Sequence, residues 1–362
     1  MTAAERVSGR PTVSVIVPAR DEEASLGACL ESLRAQSGVS SEIIVVDDAS
    51  TDRTREIAQS FPSVRVVDAG LPPAGWTGKN NAMVAGAAVA GGEWLLFTDA
   101  DTVHLPGSLA RAVAEAGRQD ASVLSYSPEQ DVRGFWEMAV MPVIFAELAA
   151  TYRPSRVSDP SSPAAAANGQ YILIAREAYD AVGGHAAVSD SLLEDVALAR
   201  VVKASGRRIF FRYGGDAVRT RMYRSFAQLR EGWTKNLALL FRSPARLALL
   251  RLTEFVLIAG AAAAAVTAMV RGHAWPAAAA ALLAVTMYGF LLNRIRQAHF
   301  SWQATALSPA GLLLFAYLLV RSKLCHREGR VVWKGRAYGG ATHPGTDAAI
   351  LEGQGPAERS SA

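Results

Sequence analysis

The sequence predicts an α/β fold with a mostly parallel sheet, followed by C-terminal membrane helices. Three observations carry this. Between residues 12 and 126, five short β-branched runs alternate with four helical stretches. From Leu252 to Leu292, 41 residues carry only two charges, Glu254 and Arg271. Between Lys203 and Arg251, twelve Lys and Arg residues stand against two acids, Asp216 and Glu231. Strands spaced by helices of about 10–15 residues indicate βαβ units and a parallel sheet. A basic belt beside a long apolar stretch marks a membrane boundary.

The strands are expected at 13–17, 42–46, 64–68, 93–98 and 121–126, and the helices at 24–36, 51–60, 80–90 and 107–119. Residues 134–151 are apolar but interrupted by Glu137, Pro142 and Glu147, which reads as an interfacial helix. A Pro/Ser/Ala loop follows over 153–167, then a strand over 168–175 and a helix over 193–204. Residues 254–270 and 274–292 approach the ~20 residues that cross a bilayer. The third apolar segment, 306–320, contains Pro309 and Gly311 and reads as re-entrant or interfacial. That reading keeps the six basic residues from Arg321 to Arg336 on the same side as Arg251, Arg294 and Arg296.

The resulting division has tails at 1–11 and 342–362 and an α/β domain over 12–245. Within that domain lie a first half (12–126), the interfacial helix (134–152) and a second half (165–245). Membrane segments occupy 252–320, and a basic juxtamembrane segment occupies 321–341. Met1 to Arg10 is polar and has no apolar signal core. The expectation is a multi-pass cell-membrane protein whose α/β domain faces the cytoplasm.

Composition narrows the classes. Hydrophobic residues make up 50% and charged residues 19%, against about 25% charged in soluble domains. A disordered chain would show the opposite balance. Two cysteines, Cys29 and Cys325, exclude a disulfide scaffold. The net charge of +4 admits nucleic acid, but nucleic acid gives no reason for the apolar stretch and is not expected as a partner.

An open parallel sheet binds its ligand at the carboxyl ends of its strands. There stand VVDDASTDRT (45–54) after the second strand and FTDADT (97–102) after the fourth. A D-x-D pair puts two carboxylates near one point. Such hard oxygen ligands suit Mg²⁺ or Mn²⁺ bridging a diphosphate, and the ion stabilises a departing nucleoside diphosphate. Ser50 is expected to cap a helix beginning near Thr51, leaving Asp48 for the ligand. SDSLLEDVALAR (189–200) places Glu194 and Asp195 at a helix start, where acids are also favourable simply by charge. His185, after Gly183 and Gly184, reads as a structural turn histidine.

The series PARDEE (18–23), VVDDASTDRT, GKNNA (78–82) and FTDADT resembles the family 2 glycosyltransferases, inverting enzymes of the GT-A fold that use nucleotide sugars. The resemblance implies that Pro18, Arg20 and Glu22 line the nucleoside pocket and that Asp48 contacts the base. It places Lys79 near the phosphates, and Asp99 and Asp101 beside the metal and the donor ribose. It makes Asp195 the base that takes the acceptor proton, with Glu194 next to it. GWTGKNNA (75–82), LREGWTKN (229–236) and VVWKGRAY (331–338) look like the membrane-bound carotenoid-acid (diaponeurosporenoate) glucosyltransferases. The hopanoid-associated glycosyltransferases share GWTGK and the D-x-D.

Processive members of the family usually carry Q-x-x-R-W. Here the spacing is Gln228-Leu-Arg230-Glu-Gly-Trp233, which favours transfer of a single sugar. Trp233 itself stands open between acceptor stacking and an interfacial aromatic. The expected activity is inverting transfer of one hexose, from UDP-glucose or a similar nucleotide sugar, to a carotenoid or other terpenoid lipid. A polyprenyl phosphate or envelope glycolipid is the alternative acceptor. A catalytically silent membrane scaffold is the alternative class, which donor-dependent nucleotide release would separate.

Overall fold

The computed structural model describes residues 12–338; the expected tails, 1–11 and 342–362, lie outside them. In chain order the strands begin with β1 (Val13–Ala19), β2 (Ser41–Asp47), β3 (Val64–Asp68), β4 (Trp94–Phe97), β5 (Thr102–His104) and β6 (Val123–Ser127). They continue with β7 (Glu129–Gln130), β8 (Ile172–Ala175), β9 (Ile209–Tyr213), β10 (Val218–Thr220), β11 (Val332–Trp333) and β12 (Arg336–Ala337). The first helices are α1 (Leu26–Arg34), α2 (Thr54–Gln59), α3 (Gly78–Val89), α4 (Ser108–Arg118), α5 (Phe135–Thr151) and α6 (Pro154–Ser158). After them come α7 (Arg176–Ala181), α8 (Glu194–Ala204), α9 (Phe226–Leu240), α10 (Pro244–Val270), α11 (Ala274–Ile295) and α12 (Trp302–Arg327). The described residues form two compact units. One runs to Asp131 and resumes over Tyr152–Met222; the other joins Val132–Thr151 to the chain from Tyr223 onward.

The first unit is built on a seven-stranded sheet in the order β3-β2-β1-β4-β8-β6-β9. Within it β8 runs antiparallel to both neighbours, β4 and β6. β2 is apolar at four consecutive positions, Ile43 to Val46, because helices cover both faces of the sheet. Alternation in β1 sends Val13, Val15 and Val17 toward α1 and α4, and Ile16 toward Met83 of α3. Each such side chain contributes roughly 1.5–3 kcal/mol by burial. The register then aligns the chemistry: Ala19 pairs with Asp47, and Asp47 with Asp68. Phe97 pairs with Ile16, so Asp99 and Asp101 follow at the same sheet edge.

Helix α2 starts at Thr54, later than the sequence reading, and Ser50 is not its cap. Asp52 Oδ1 takes the Thr54 N–H at 2.9 Å and the Thr54 hydroxyl at 2.5 Å. The Ser50 hydroxyl oxygen instead accepts the Asp21 N–H at 3.2 Å.

The second unit is helical. Among the described residues, four helical runs are long and apolar enough to cross a membrane: Phe135–Ser158, which begins in this unit, and Pro244–Val270, Ala274–Ala298 and Trp302–Arg327. On α10 and α11 the large apolar side chains point outward, among them Val266, Met269, Val270, Leu282 and Phe290. A surface of that extent is costly in water.

One expectation changes here. Residues 306–320 are not broken at Pro309; α12 is continuous from Trp302 to Arg327. Proline has no N–H for the carbonyl four residues back, and the Ser308 hydroxyl donates to that carbonyl, Thr305 O, at 2.5 Å. Gly311 is a packing site and not a break, since a Cβ there would collide with the Ala139 carbonyl of α5. Residues 132–151 and the chain from Tyr223 group with the C-terminal helices, whereas the sequence division draws its boundary at 245.

Four charges close a ring among α5, α10 and α11. Arg251 reaches Glu147 at 3.4 Å and Glu254 at 2.5 Å; Arg294 reaches Glu147 at 3.4 Å and Glu254 at 2.8 Å. Ser225 caps α9, and Gln228 Oε1 accepts the Arg224 N–H at 2.8 Å, so this glutamine completes a helix start. β11 and β12 form a hairpin whose turn residues, Lys334 and Gly335, have φ of 46° and 74°. Trp333 lies under the Lys235 ammonium, 5.4 Å from ring centroid to Nζ, and the Lys334 N–H donates to Glu231 Oε1 at 3.0 Å. The segments 229–236 and 331–338 therefore form one assembly on α9.

Candidate active site

The loops after β1 and β2 interlock before any ligand is considered. Arg20 donates to the carbonyls of Asp48 and Ala49 at 2.7 and 3.2 Å. The Thr51 N–H donates to Asp21 Oδ1 at 2.8 Å, and the Glu22 N–H to Thr54 Oγ1 at 2.7 Å. The Glu23 N–H donates to Asp52 Oδ2 at 3.0 Å. Asp47 accepts the Ser50 N–H at 3.2 Å and pairs with Arg55 at 3.3 Å. Much of PARDEE and VVDDASTDRT is thus mutual support that shapes one edge. Asp48 is buried there, its N–H donated to Ala19 O at 2.9 Å. Pro18 pairs with Val46 in the ladder and is half-buried.

Below this edge sits Cys29. Its thiol is held protonated first by burial, then by the charges of Asp101, Glu22 and Asp99. Three carboxylates from two loops therefore face one region. Asp99 and Asp101 lie on the turn from β4 to β5, where the Thr102 N–H donates to Asp99 O at 3.1 Å and the Thr220 hydroxyl to Asp101 O at 3.2 Å.

Lys79 enters from the first turn of α3. Its ammonium reaches Asp99 at 2.8 Å and Glu194 at 2.6 Å. Burial alone would lower the Lys79 pKa, but the two carboxylates overcome it and hold the pKa well above its ordinary value. Glu194 is buried and Asp195 is half-buried at the start of α8. Asp195 Oδ2 accepts the Gly169 N–H at 2.9 Å, and Oδ1 accepts the Val196 N–H at 2.8 Å. Burial, then the Glu194 charge, push its pKa up to about 6 against the pull of Lys79 and the two N–H donors. Gly169 lies flat on this group. A Cβ there would stand 3.2 Å from Lys79 Nζ, 3.4 Å from Glu194 Oε1 and 3.5 Å from Asp195 Oδ2.

The structure thus brings Lys79, Asp99, Glu194 and Asp195 into one cluster, with Asp101 two residues from Asp99. Arg20, Glu22 and Asp48 lie on the loops of the same edge. Trp233 belongs to the second unit and is buried, its Nε1–H directed at Met141 Sδ at 3.3 Å and its ring edge-on to Phe145 and Tyr223. Its ring has no open face for stacking. His185 is fully buried, packed edge-on against Phe97 at 4.5 Å, with the Tyr179 hydroxyl 3.1 Å from Nδ1. Burial pulls its pKa down to about 3, so it is neutral. Gly169 and Asn80 were missed from sequence. Gly169 carries no chemical signal of its own; Asn80 sits inside GKNNA, where only its repetition in a motif marks it.

Among the described residues no three His, Cys, Asp or Glu side chains converge to hold a metal alone. Mg²⁺ and Mn²⁺ are commonly held by one or two carboxylates together with substrate phosphates. The two oxygen-donor residues of the D-x-D fit that mode.

Residues 14–183 match the family model "Glycosyl transferase family 2". The match falls largely on the unit built around the seven-stranded sheet, which has the GT-A fold. It is 28% identical over 337 residues to the 4,4'-diaponeurosporenoate glycosyltransferase of Staphylococcus aureus (strain USA300), covering 90% of this chain and 88% of that one. Among solved structures, a mannosyltransferase from Pyrobaculum calidifontis in complex with GDP-Man and Mn²⁺ aligns over 88% of this chain and 87% of its own. That alignment has a TM-score of 0.49 and 18% identity.

Proposed function

We propose that this chain is an inverting glycosyltransferase that moves one hexosyl unit from a nucleotide-diphosphate sugar, UDP-glucose or similar, to a terpenoid lipid of the carotenoid-acid class. The observation that carries the reading is the convergence of Lys79, Asp99, Glu194 and Asp195, drawn from three separate segments. The relative of similar length and end-to-end alignment supports the acceptor class. The exposed apolar surfaces of α10 and α11 support a multi-pass membrane anchor, with the glycosyltransferase unit on the cytoplasmic side, where nucleotide sugars are made.

In this reading the acceptor oxygen attacks the anomeric carbon from the face opposite the diphosphate. The new C–O bond forms as the bond to the phosphate oxygen breaks, and the nucleoside diphosphate leaves with that electron pair. The acceptor proton passes to Asp195. Its raised pKa makes it a stronger base than an ordinary aspartate, and two backbone N–H groups fix its plane. Lys79 supplies positive charge beside the leaving diphosphate. Asp99 and Asp101 would hold a divalent ion, which when bound neutralises charge on the departing diphosphate. Arg20, Glu22, Pro18 and Asp48 shape the nucleoside end. A lipid acid drawn from a bilayer arrives protonated, because desolvation raises its pKa; the base therefore has a proton to take from an acid as well as from an alcohol.

The test uses membranes from cells expressing the chain, a panel of labelled nucleotide sugars, and mass spectrometry of the labelled lipid. One donor is expected to label a terpenoid lipid with a single hexose. No donor-dependent release of nucleotide with any sugar would overturn the reading.

A further inference from the structure

The first turn of α3 carries more than the Lys79 charge. Thr77 caps it, its hydroxyl oxygen accepting the Asn80 N–H at 3.1 Å. Asn80 is fully buried. Its Nδ2 lies 2.9, 3.0 and 3.1 Å from the carbonyl oxygens of Val188, Ser189 and Ser191. Three carbonyls can only be met by the amide nitrogen, so the neighbours set the orientation of the side chain. Its Oδ1 is buried without a hydrogen-bond partner: the amide is placed for its donors. A further bond runs between the same segments, from the Thr77 N–H to Ser189 O at 2.9 Å.

Segment 188–191 leads directly into α8. The residue before that helix, Leu193, offers no side-chain cap, so the direction of the first turn is set by what precedes it. The first two residues of that turn are Glu194 and Asp195. We infer that Asn80 is a positioning residue for Asp195, acting through the carbonyls of 188–191. Because Lys79 is its neighbour in sequence, one helical turn fixes both the cation beside the donor phosphates and the base beside the acceptor. The inference rests on the proposed role of Asp195.

Asn80→Asp tests it. The side chain keeps its shape, but an oxygen replaces the donor and faces three carbonyls. Turnover per donor-binding site is expected to fall about a hundredfold, the scale of a misplacement near 1 Å. The donor KM is expected to stay within about threefold, since Lys79 remains in place. The acid limb of the kcat profile should shift with it, because Asp195 changes surroundings. Asn80→Ser, which returns one short donor, should recover part of kcat. A purely structural residue would lower the folded fraction and leave kcat per donor-binding site and the pH profile unchanged; that result overturns the inference, as does failure of both variants to fold. Asp195→Asn separates the layers. If it retains turnover, the reading of the base fails; if it collapses while Asn80→Asp does not, only the positioning role fails.

Discussion

Each unit holds a cluster of charged side chains, and the two clusters are composed differently. In the second unit, Arg251 and Arg294 alternate with Glu147 and Glu254, two charges of each sign in a closed ring. In the first, the single cation Lys79 faces Asp99 and Glu194 directly, with Asp195 beside them. A ring with equal charges of each sign cancels its own charge and ties helices together. An acidic excess in a half-buried place is unfavourable, first through burial and then through like-charge repulsion from Glu194, and both raise the pKa of Asp195. Such repulsion is tolerated where a charged ligand or a proton is to be received. The ring ties helices together, and the unbalanced cluster is the one to which the proposed chemistry is assigned.

The contrast breaks most sharply at Asp195. Asp195→Asn is expected to lower kcat by about 10³-fold with donor binding kept. Stability should move the other way. The folded pKa lies near 6, above the ordinary 3.8, so the folded state holds the extra proton between those values. The stabilising contribution is present below about 3.8 and is lost as pH rises through about 6. At pH 7 the ionised side chain is a cost that the amide removes, and the melting temperature of Asp195→Asn should hold or rise. In the native enzyme kcat should fall as pH drops below about 6. With an acid acceptor, the deficit of the variant should shrink at high pH, where the acceptor loses its own proton; with an alcohol it should not.

A chelator, or Asp101→Ala, is next in size: an expected loss of about 10²-fold or more in transfer, with thermal unfolding of the metal-free protein unchanged. Full activity under chelation removes the D-x-D from the metal role. Glu147→Gln addresses the other cluster. It leaves two arginines facing one glutamate and should destabilise by about 3 kcal/mol, read as a lower unfolding temperature in detergent, with kcat unaffected in the folded fraction. Adding Arg294→Gln should restore part of that loss, a non-additive result that independent sites would not give. The smallest effect is expected at Trp333→Ala, about 1 kcal/mol for the lost ammonium–ring contact with Lys235, measured by thermal unfolding.

Legibility in the sequence followed the range of the interaction. Strand ends were readable because VVDD and FTDAD each follow an apolar run of period suited to a buried strand, and the register of β1, β2 and β4 then carries Asp48, Asp99 and Asp101 to one edge. Local hydrogen bonding was read less well. Ser50 looked like a cap, but Asp52, two residues before Thr54, takes that helix start. Pro309 looked like a break, but the hydroxyl next to it replaces the missing donor. Nothing local reports the partners of Asn80, which lie 108 to 111 residues away. Trp233 was ambiguous because its burial depends on α5, some ninety residues earlier.

The meeting of Gly311 with the Ala139 carbonyl also has a history in time. α5 ends at Thr151 and α12 begins at Trp302, so about 150 residues are made between the two halves of that seam. At ribosomal rates of about 5–20 residues per second, α5 waits about 8–30 seconds for the helix that covers it. Over that interval its apolar face needs another cover. A nascent chain of this kind depends on early delivery to a bilayer or on a chaperone, and its slowest vulnerable moment falls midway through synthesis and not at the end.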